Sequence, residues 1–398
     1  MTTNAATSRV EEETDLSLVL GGPLYQTYLR CRLARPPIEL LTRRIVALVL
    51  ITWVPLAVLS AVEGRAVGGV AIPFLEHISA HVHFLVVLPM LVAAEVLVHR
   101  RITRLVKVFT ERGLVAPEDE PRFHEAVAGA RRLRNSTVVE VVLLVLSFTV
   151  GFWLWRGHIA IHAQTWYTAG PDAAPFTMAG YWYAFVSLPL FRFLMYRWQF
   201  RMLVWWRFLW KVSRIPLRLN ALHPDRAGGL RFLDATPFVF LPVLLAPTAL
   251  LAAELGDRIL HLGAKLPQFQ VDIAVVLIAL LLLVYLPLMF FVRHLFETQW
   301  TGRRDYGNFA AQYVSDFREK WIKRTAGSES GAELGTSDIQ SLADLANSFQ
   351  VVDSMNIVPF NFKSVLCLGV LVLLPLAPLL FTMMPVDEMI DRVIKLVL

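Results

Sequence analysis

Apolar residues in this chain fall into blocks close to twenty residues long, separated by polar segments rich in arginine. An α-helix rises about 1.5 Å per residue, so about twenty apolar residues cross a hydrocarbon layer of about 30 Å. Seven blocks stand out, at residues 45–63, 82–98, 137–155, 181–199, 236–255, 272–292 and 364–384. The pattern predicts an all-α protein, a polytopic helical membrane bundle of about seven transmembrane helices.

Lysine and arginine near span ends resist translocation, and their distribution sets the expected orientation. With the N-terminus in the cytoplasm, segments 1–44, 100–136, 197–234 and 293–363 hold 31 basic residues. The opposite segments 64–81, 156–179, 256–271 and 386–398 hold 6. The expectation is N-terminus in and C-terminus out. Residues 1–44 then form a cytoplasmic and juxtamembrane segment, and 45–98 hold spans one and two. A cytoplasmic hairpin over 100–136 has helices at 100–112 and 121–133, and 137–199 hold spans three and four. An interfacial basic helix and turn follow over 200–234, then spans five and six over 236–292. Segment 293–363 is cytoplasmic and helical, with aromatics at helical spacing over 303–322 and a capping box at Ser337–Gln340. Residues 364–398 carry the last span and an outer amphipathic helix. The cytoplasmic pieces together suggest a small helical layer.

The fourth block runs on to Arg214, roughly 50 Å of helix and more than one crossing needs. Its second half is expected to protrude or turn along the surface. Arg207, Lys211 and Arg214 fall opposite Trp205 and Leu209, an arrangement suited to anionic lipid headgroups. Trp153, Trp155, Trp166, Tyr167, Tyr181, Trp182 and Tyr183 are read as one interfacial aromatic belt, and Trp198, Trp205, Trp206 and Trp210 as the other.

Composition supports the membrane reading: 56% of residues are apolar and 18% charged, against about 25% charged in soluble chains. The net charge of +6 brackets the spans instead of forming one groove, which argues against nucleic acid. Cys31 and Cys367 make no CxxC or disulfide pattern. Met1 to Asp15 is polar and acidic, so the first span is expected to act as an uncleaved insertion signal.

Three constellations carry candidate chemistry. Glu76, His77, His81 and His83 stand at the outer mouth of the second span, and His158 and His162 at that of the third. Imidazoles at this spacing can converge on Zn²⁺ or Cu²⁺, or titrate together as a pH sensor. The plainer reading is a set of interface residues without a joint role. Glu95, Glu140 and Arg192 are ionisable groups within spans, which by default mark a pathway or a partner. A Glu95–Arg192 ion pair is the structural expectation, and a wetted vestibule the functional one. In Leu222–Leu230, His223, Asp225, Arg226, Gly228 and Gly229 form a turn. Its amides could cradle an anion, or Asp225 could cap the next helix.

The run HPDRAGGL before a span and the later SDIQSLADLANSF resemble a family of uncharacterised bacterial integral membrane proteins. The resemblance covers most of the chain from about Pro23 and implies architecture without a function. Taken together, the sequence suggests a bacterial inner-membrane ion channel or small-solute transporter, with homo-oligomers as a further expectation. A metal-dependent membrane enzyme or a metal or pH sensor using the outer histidines is the alternative, and a non-catalytic scaffold the next.

Overall fold

The structure, a computed structural model, describes residues 16–33, 40–149, 165–168, 176–322 and 337–382. Among these the chain is helical, with isolated bridges and no strand. Helix α1 is Pro23–Arg30, and α2 is Leu41–Val62, broken at Trp53 ahead of Pro55. Helix α3, Ile78–Glu111, runs 34 residues. Helices α4, Glu120–Arg134, and α5, Thr137–Phe148, follow. Met178–Trp182, Tyr183–Ser187 and Leu188–Val212 run on without interruption as α6. Next come α7, Arg231–Val239, and α8, Leu241–Leu262, bent by 41° where they meet. Helix α9 is Leu266–Ile322, α10 is Ser337–Asp353 and α11 is Phe362–Leu380.

Four helices are long and apolar enough to cross a membrane, namely α2, α3, α9 and α11, and α7 with α8 makes a fifth if the bent pair is one span. Their outward faces are apolar: Val275, Ile278 and Leu282 on α9 and Leu366, Val370 and Leu374 on α11 are exposed. Such continuous apolar surface is what a hydrocarbon solvent demands and water opposes. Among the described residues the chain is thus all-helical, with four to five helices suited to spanning a membrane. Helix α5 is apolar but has 12 residues, and Arg192, Arg197 and Arg201 interrupt the apolar run of α6.

Prolines explain the irregular turns. A proline has no amide hydrogen to donate one turn back, so the preceding turn widens or tightens. The π-helical turns Val82–Val87 and Tyr183–Ser187 each stand just before a proline, Pro89 and Pro189. The 3₁₀ turns Leu286–Phe291 and Leu374–Leu376 contain Pro287 and Pro375.

The helices pack α2 on α3, α6 on α4 and α5, α8 on α3 and α11, and the second half of α9 on α10. A large apolar core runs between them, with a smaller cluster of Ala252, Leu255, Leu376 and Leu379 between α8 and α11. One end of the bundle carries His77 and Asp257, and the other carries the turn around Asp225. Several expectations change here. The sixth apolar block and the 303–322 helix are one rod of 57 residues, roughly 85 Å long. The second half of α6 continues the first without interruption, with Trp205, Phe208, Leu209 and Val212 buried against its neighbours and Arg207 and Lys211 exposed on its other side. The aromatic belts also fail in part. Trp166, Tyr167 and Tyr183 form a buried cluster with Phe74, and Trp198 and Trp205 are buried as well. A buried indole N–H usually finds an acceptor, and Trp198 donates to the Leu91 carbonyl at 3.0 Å.

Candidate functional site

Two polar constellations lie within the bundle, on opposite faces of α6. The first is an ion network. Glu95 on α3 accepts from Arg44 of α2 at 2.5 Å and from Arg201 of α6 at 2.9 Å. Arg197 lies 3.7 Å from Glu95 and donates to Glu140 of α5 at 3.1 Å. Glu140 also accepts the Leu24 amide at 2.9 Å. All five side chains are buried. A Cβ on Gly22, whose φ is +86°, would stand 2.6 Å from a Glu140 oxygen, so the chain before α1 needs glycine to approach that carboxylate. The network thus ties four helices and the N-terminal segment together.

Glu95 therefore does not pair with Arg192. Each residue turns an α-helix by about 100°, so Arg201 lies about 180° around α6 from Arg192, and Arg197 about 140°. Depth in the membrane suggested the wrong arginine; azimuth selects the right ones.

Arg192 instead lines a pocket of about 210 Å³ between α3, α6 and α8. His77, Ser79 and His83 enter from the start of α3, Tyr183 and Tyr196 from α6, and Glu254 from α8. Three polar atoms of this lining are buried without a hydrogen-bond partner: Arg192 Nη1, His77 Nδ1 and Ser79 Oγ. Among the described residues no carboxylate forms an ion pair with Arg192. Glu254 is engaged by Arg258 on its own helix at 3.0 Å. An unmade hydrogen bond on a buried polar group costs about 1–3 kcal/mol, so three around one cavity mark a place suited to a polar ligand.

The pocket wall is held by Asp257, which is fully buried on α8. Its carboxylate accepts the Ile78 and Ser79 amides at 2.8 Å each and so caps α3 from another helix. His77 Nε2 lies 3.6 Å from Asp257. Burial, with help from His81 and His261, lowers the His77 pKa, and Asp257 opposes that shift without reversing it.

The outer histidines do not gather as helical spacing suggested, because α3 begins only at Ile78 and His77 is extended, with ψ 90°. His81 turns toward α2, where Nδ1 accepts from Trp53 Nε1 at 3.0 Å and Nε2 lies 3.1 Å from the Phe74 carbonyl. His83 Nδ1 lies 2.5 Å from the Ser79 carbonyl, and Glu76 is exposed in a 3₁₀ turn. Among the described residues no group of three or more His, Cys, Asp or Glu side chains is placed to hold a metal ion. His158 and His162 lie outside the described residues, as do Trp153 and Trp155.

The anion-cradle reading of the Asp225 turn is corrected too. Its amides already have an anion, because Asp225 accepts from Ala227 at 2.8 Å, Gly229 at 3.1 Å and Arg231 at 3.1 Å. His223 Nδ1 lies 2.8 Å from the same carboxylate. Burial works to raise the Asp225 pKa, but these amides and the ring outweigh it and hold the carboxyl below its ordinary range. Arg226 and Gly228 adopt positive φ, and the Arg226 carbonyl accepts from Asn356 at 2.7 Å. The turn is an internal knot joining α7 to the chain beyond α10.

No protein-family profile, curated protein or solved structure was found to match the chain. Sequence reasoning missed Arg44, Arg197, Arg201, Glu254 and Asp257. The spacing of Glu254, Asp257, Arg258 and His261 at three and four residues was the available signal that α8 extends past the apolar block with one polar face.

Proposed function

We propose that this chain is a multi-pass membrane protein that moves a small anionic solute, with Arg192 as the recognition group of its binding pocket. One observation carries the reading: an arginine with no ion-pair partner among the described residues shares a cavity inside an apolar bundle with two further orphaned polar atoms. Ionisable groups at such depth are costly unless they serve a pathway or a ligand. The cavity has room for about seven waters' volume at about 30 Å³ each, enough for a small carboxylate. Arg192 supplies a forked cationic donor, Ser79 a hydroxyl and His77 a neutral imidazole. Glu254 sets a limit on bulk and charge from the opposite wall.

The finer architecture belongs to the same proposal. Seven spans are supported by the coincidence of α2, α3, α5, α6, α7 with α8, α9 and α11 with the seven apolar blocks. The lysine and arginine asymmetry supports an N-terminus inside. The resemblance of HPDRAGGL and SLADLANSF supports a bacterial inner membrane. In this arrangement the pocket opens near the outer leaflet and the ion network closes the bundle beneath it.

Proteoliposomes test the reading with labelled acetate, lactate and chloride as probes. The expected result is saturable uptake of at least one probe, lost in Arg192→Gln and partly kept in Arg192→Lys. An Arg100→Gln control on the exposed face of α3 retains parent flux. Flux indifferent to Arg192→Gln, or no flux above protein-free vesicles for all three probes, would remove the proposal.

A further inference from the structure

A second cavity, of about 840 Å³, lies at the other end of the bundle between α4 and the last turns of α6. Five cations line it, Arg122, Arg132, Arg207, Lys211 and Arg214, against the single carboxylate of Glu125. All six are exposed, and one of the cations, Arg122, is partly neutralised by Asp119 at 3.0 Å. The floor is apolar, made by Ala126, Leu133 and Phe208. A wholly solvated surface would scatter such charges to relieve their repulsion. Converging them over an apolar floor is favourable when an anion with an apolar body occupies the groove.

Depth points to the source of that anion. From Tyr181 to Arg207 α6 rises roughly 39 Å, close to a hydrocarbon core plus one headgroup layer. Trp210 is exposed beside the groove and carries Arg214 at 5.2 Å and Lys211 at 5.8 Å over its ring, an arrangement suited to the membrane–water interface. Leu133 lies three residues before Ser136, the cap of α5. Along α5 the side chains of Val138, Val141, Val142 and Val145 are exposed and apolar. A headgroup phosphate among the arginines therefore has an apolar helix beside it on which acyl chains can lie.

We infer that this groove binds the phosphate of an anionic phospholipid from the leaflet facing the Asp225 end. The inference stands apart from the transport reading, since the groove shares no residue with the Arg192 pocket. Guanidinium forks bind phosphate oxygens in pairs, and Lys211 adds a mobile ammonium. Glu125 at the rim disfavours a second negative charge, which suits a phosphodiester better than a phosphate monoester.

Native mass spectrometry of the full chain in a nonionic detergent tests this with three probes: short-chain phosphatidylglycerol, short-chain phosphatidylcholine and glycerol phosphate. The parent is expected to retain phosphatidylglycerol at least about tenfold more strongly than either other probe. The triple change Arg207→Gln, Lys211→Gln, Arg214→Gln is expected to weaken that retention at least about tenfold, each basic group near a surface contributing measurably to anionic lipid binding. Arg207→Gln alone gives about a threefold loss, which keeps the test open should the triple variant misfold. The same charge loss at Arg100, Arg101 and Arg104, exposed on α3, leaves retention within about twofold. Equal retention of phosphatidylcholine, equal losses in the two triple variants, or no loss in Arg207→Gln overturns the proposal. Glycerol phosphate bound as tightly as the lipid overturns the lipid source and assigns the groove to a soluble phosphate.

Discussion

The two faces of α6 carry the same chemical groups to opposite ends. On one face Arg197 and Arg201 meet Glu95 and Glu140, and each charge touches an opposite one. On the other face Arg192 lines a cavity with its Nη1 unbonded. A buried charge paired with its opposite holds helices in register, even where, as at Arg44 Nε and Nη2, some hydrogen bonds stay unmade, whereas a cation without a counter-charge persists in a bundle at a cost. Within one helix, then, charge marks structure where it is paired and a candidate ligand site where it is not.

That contrast has an ordered set of consequences. The largest is expected at Glu95. Glu95→Ala leaves Arg44 and Arg201 buried without their carboxylate, with Arg197 held only by Glu140, and should cost about 3–5 kcal/mol, read as a large fall in the thermal unfolding midpoint in detergent. The contrast breaks if this variant is no less stable than Arg192→Met. Next, Asp225→Ala removes the acceptor of three backbone amides at the other end, with an expected loss of about 2–3 kcal/mol. Because the folded Asp225 pKa is depressed, its contribution is present above the unfolded carboxylate value and is lost as pH falls through the folded one. Acid unfolding of the parent should therefore be shallower in Asp225→Asn, and identical profiles would contradict that assignment.

Arg192→Met is the sharpening case. It should leave stability unchanged or raise it by about 1 kcal/mol while abolishing solute flux, since it removes an unpaired charge and keeps most of the side-chain length. A loss of more than about 2 kcal/mol would mean that Arg192 is structural after all. The smallest expected effect is at His77. Its folded pKa lies below the ordinary 6.5, so the neutral ring contributes stability that begins to fall as pH drops below that value. His77→Gln should flatten the parent's stability between about pH 6.5 and 5, where the unfolded ring gains its proton and the buried one does not. Unchanged curvature in that range would place the acid sensitivity elsewhere.

Much of the helix inventory was legible in the amino-acid sequence. The apolar blocks located α2, α3, α9 and α11, and the glycine and proline near residue 113 to 121 marked the break between α3 and α4. The partners of Glu95 were not legible, although Arg44, Arg197 and Arg201 were in plain view. Hydropathy ranks residues by depth along the membrane normal and contains no term for rotation about a helix axis. The same limit explains the tryptophans: Trp198 and Trp205 have the composition of an interface belt, yet the helix turns them inward. Asp257 was hidden for a third reason, because the amides it caps belong to a helix 178 or more residues earlier.

Composition and spacing by themselves determined that this chain is helical and carries helices long and apolar enough to span a lipid layer. Long apolar stretches must satisfy their backbone internally there, and only the helix does so within one segment. Tertiary packing alone decided that Arg44, Arg197 and Arg201 meet carboxylates while Arg192 faces a cavity. Pairing depends on the azimuth and approach of helices far apart in the chain, and those are set by the close fit of side chains between them.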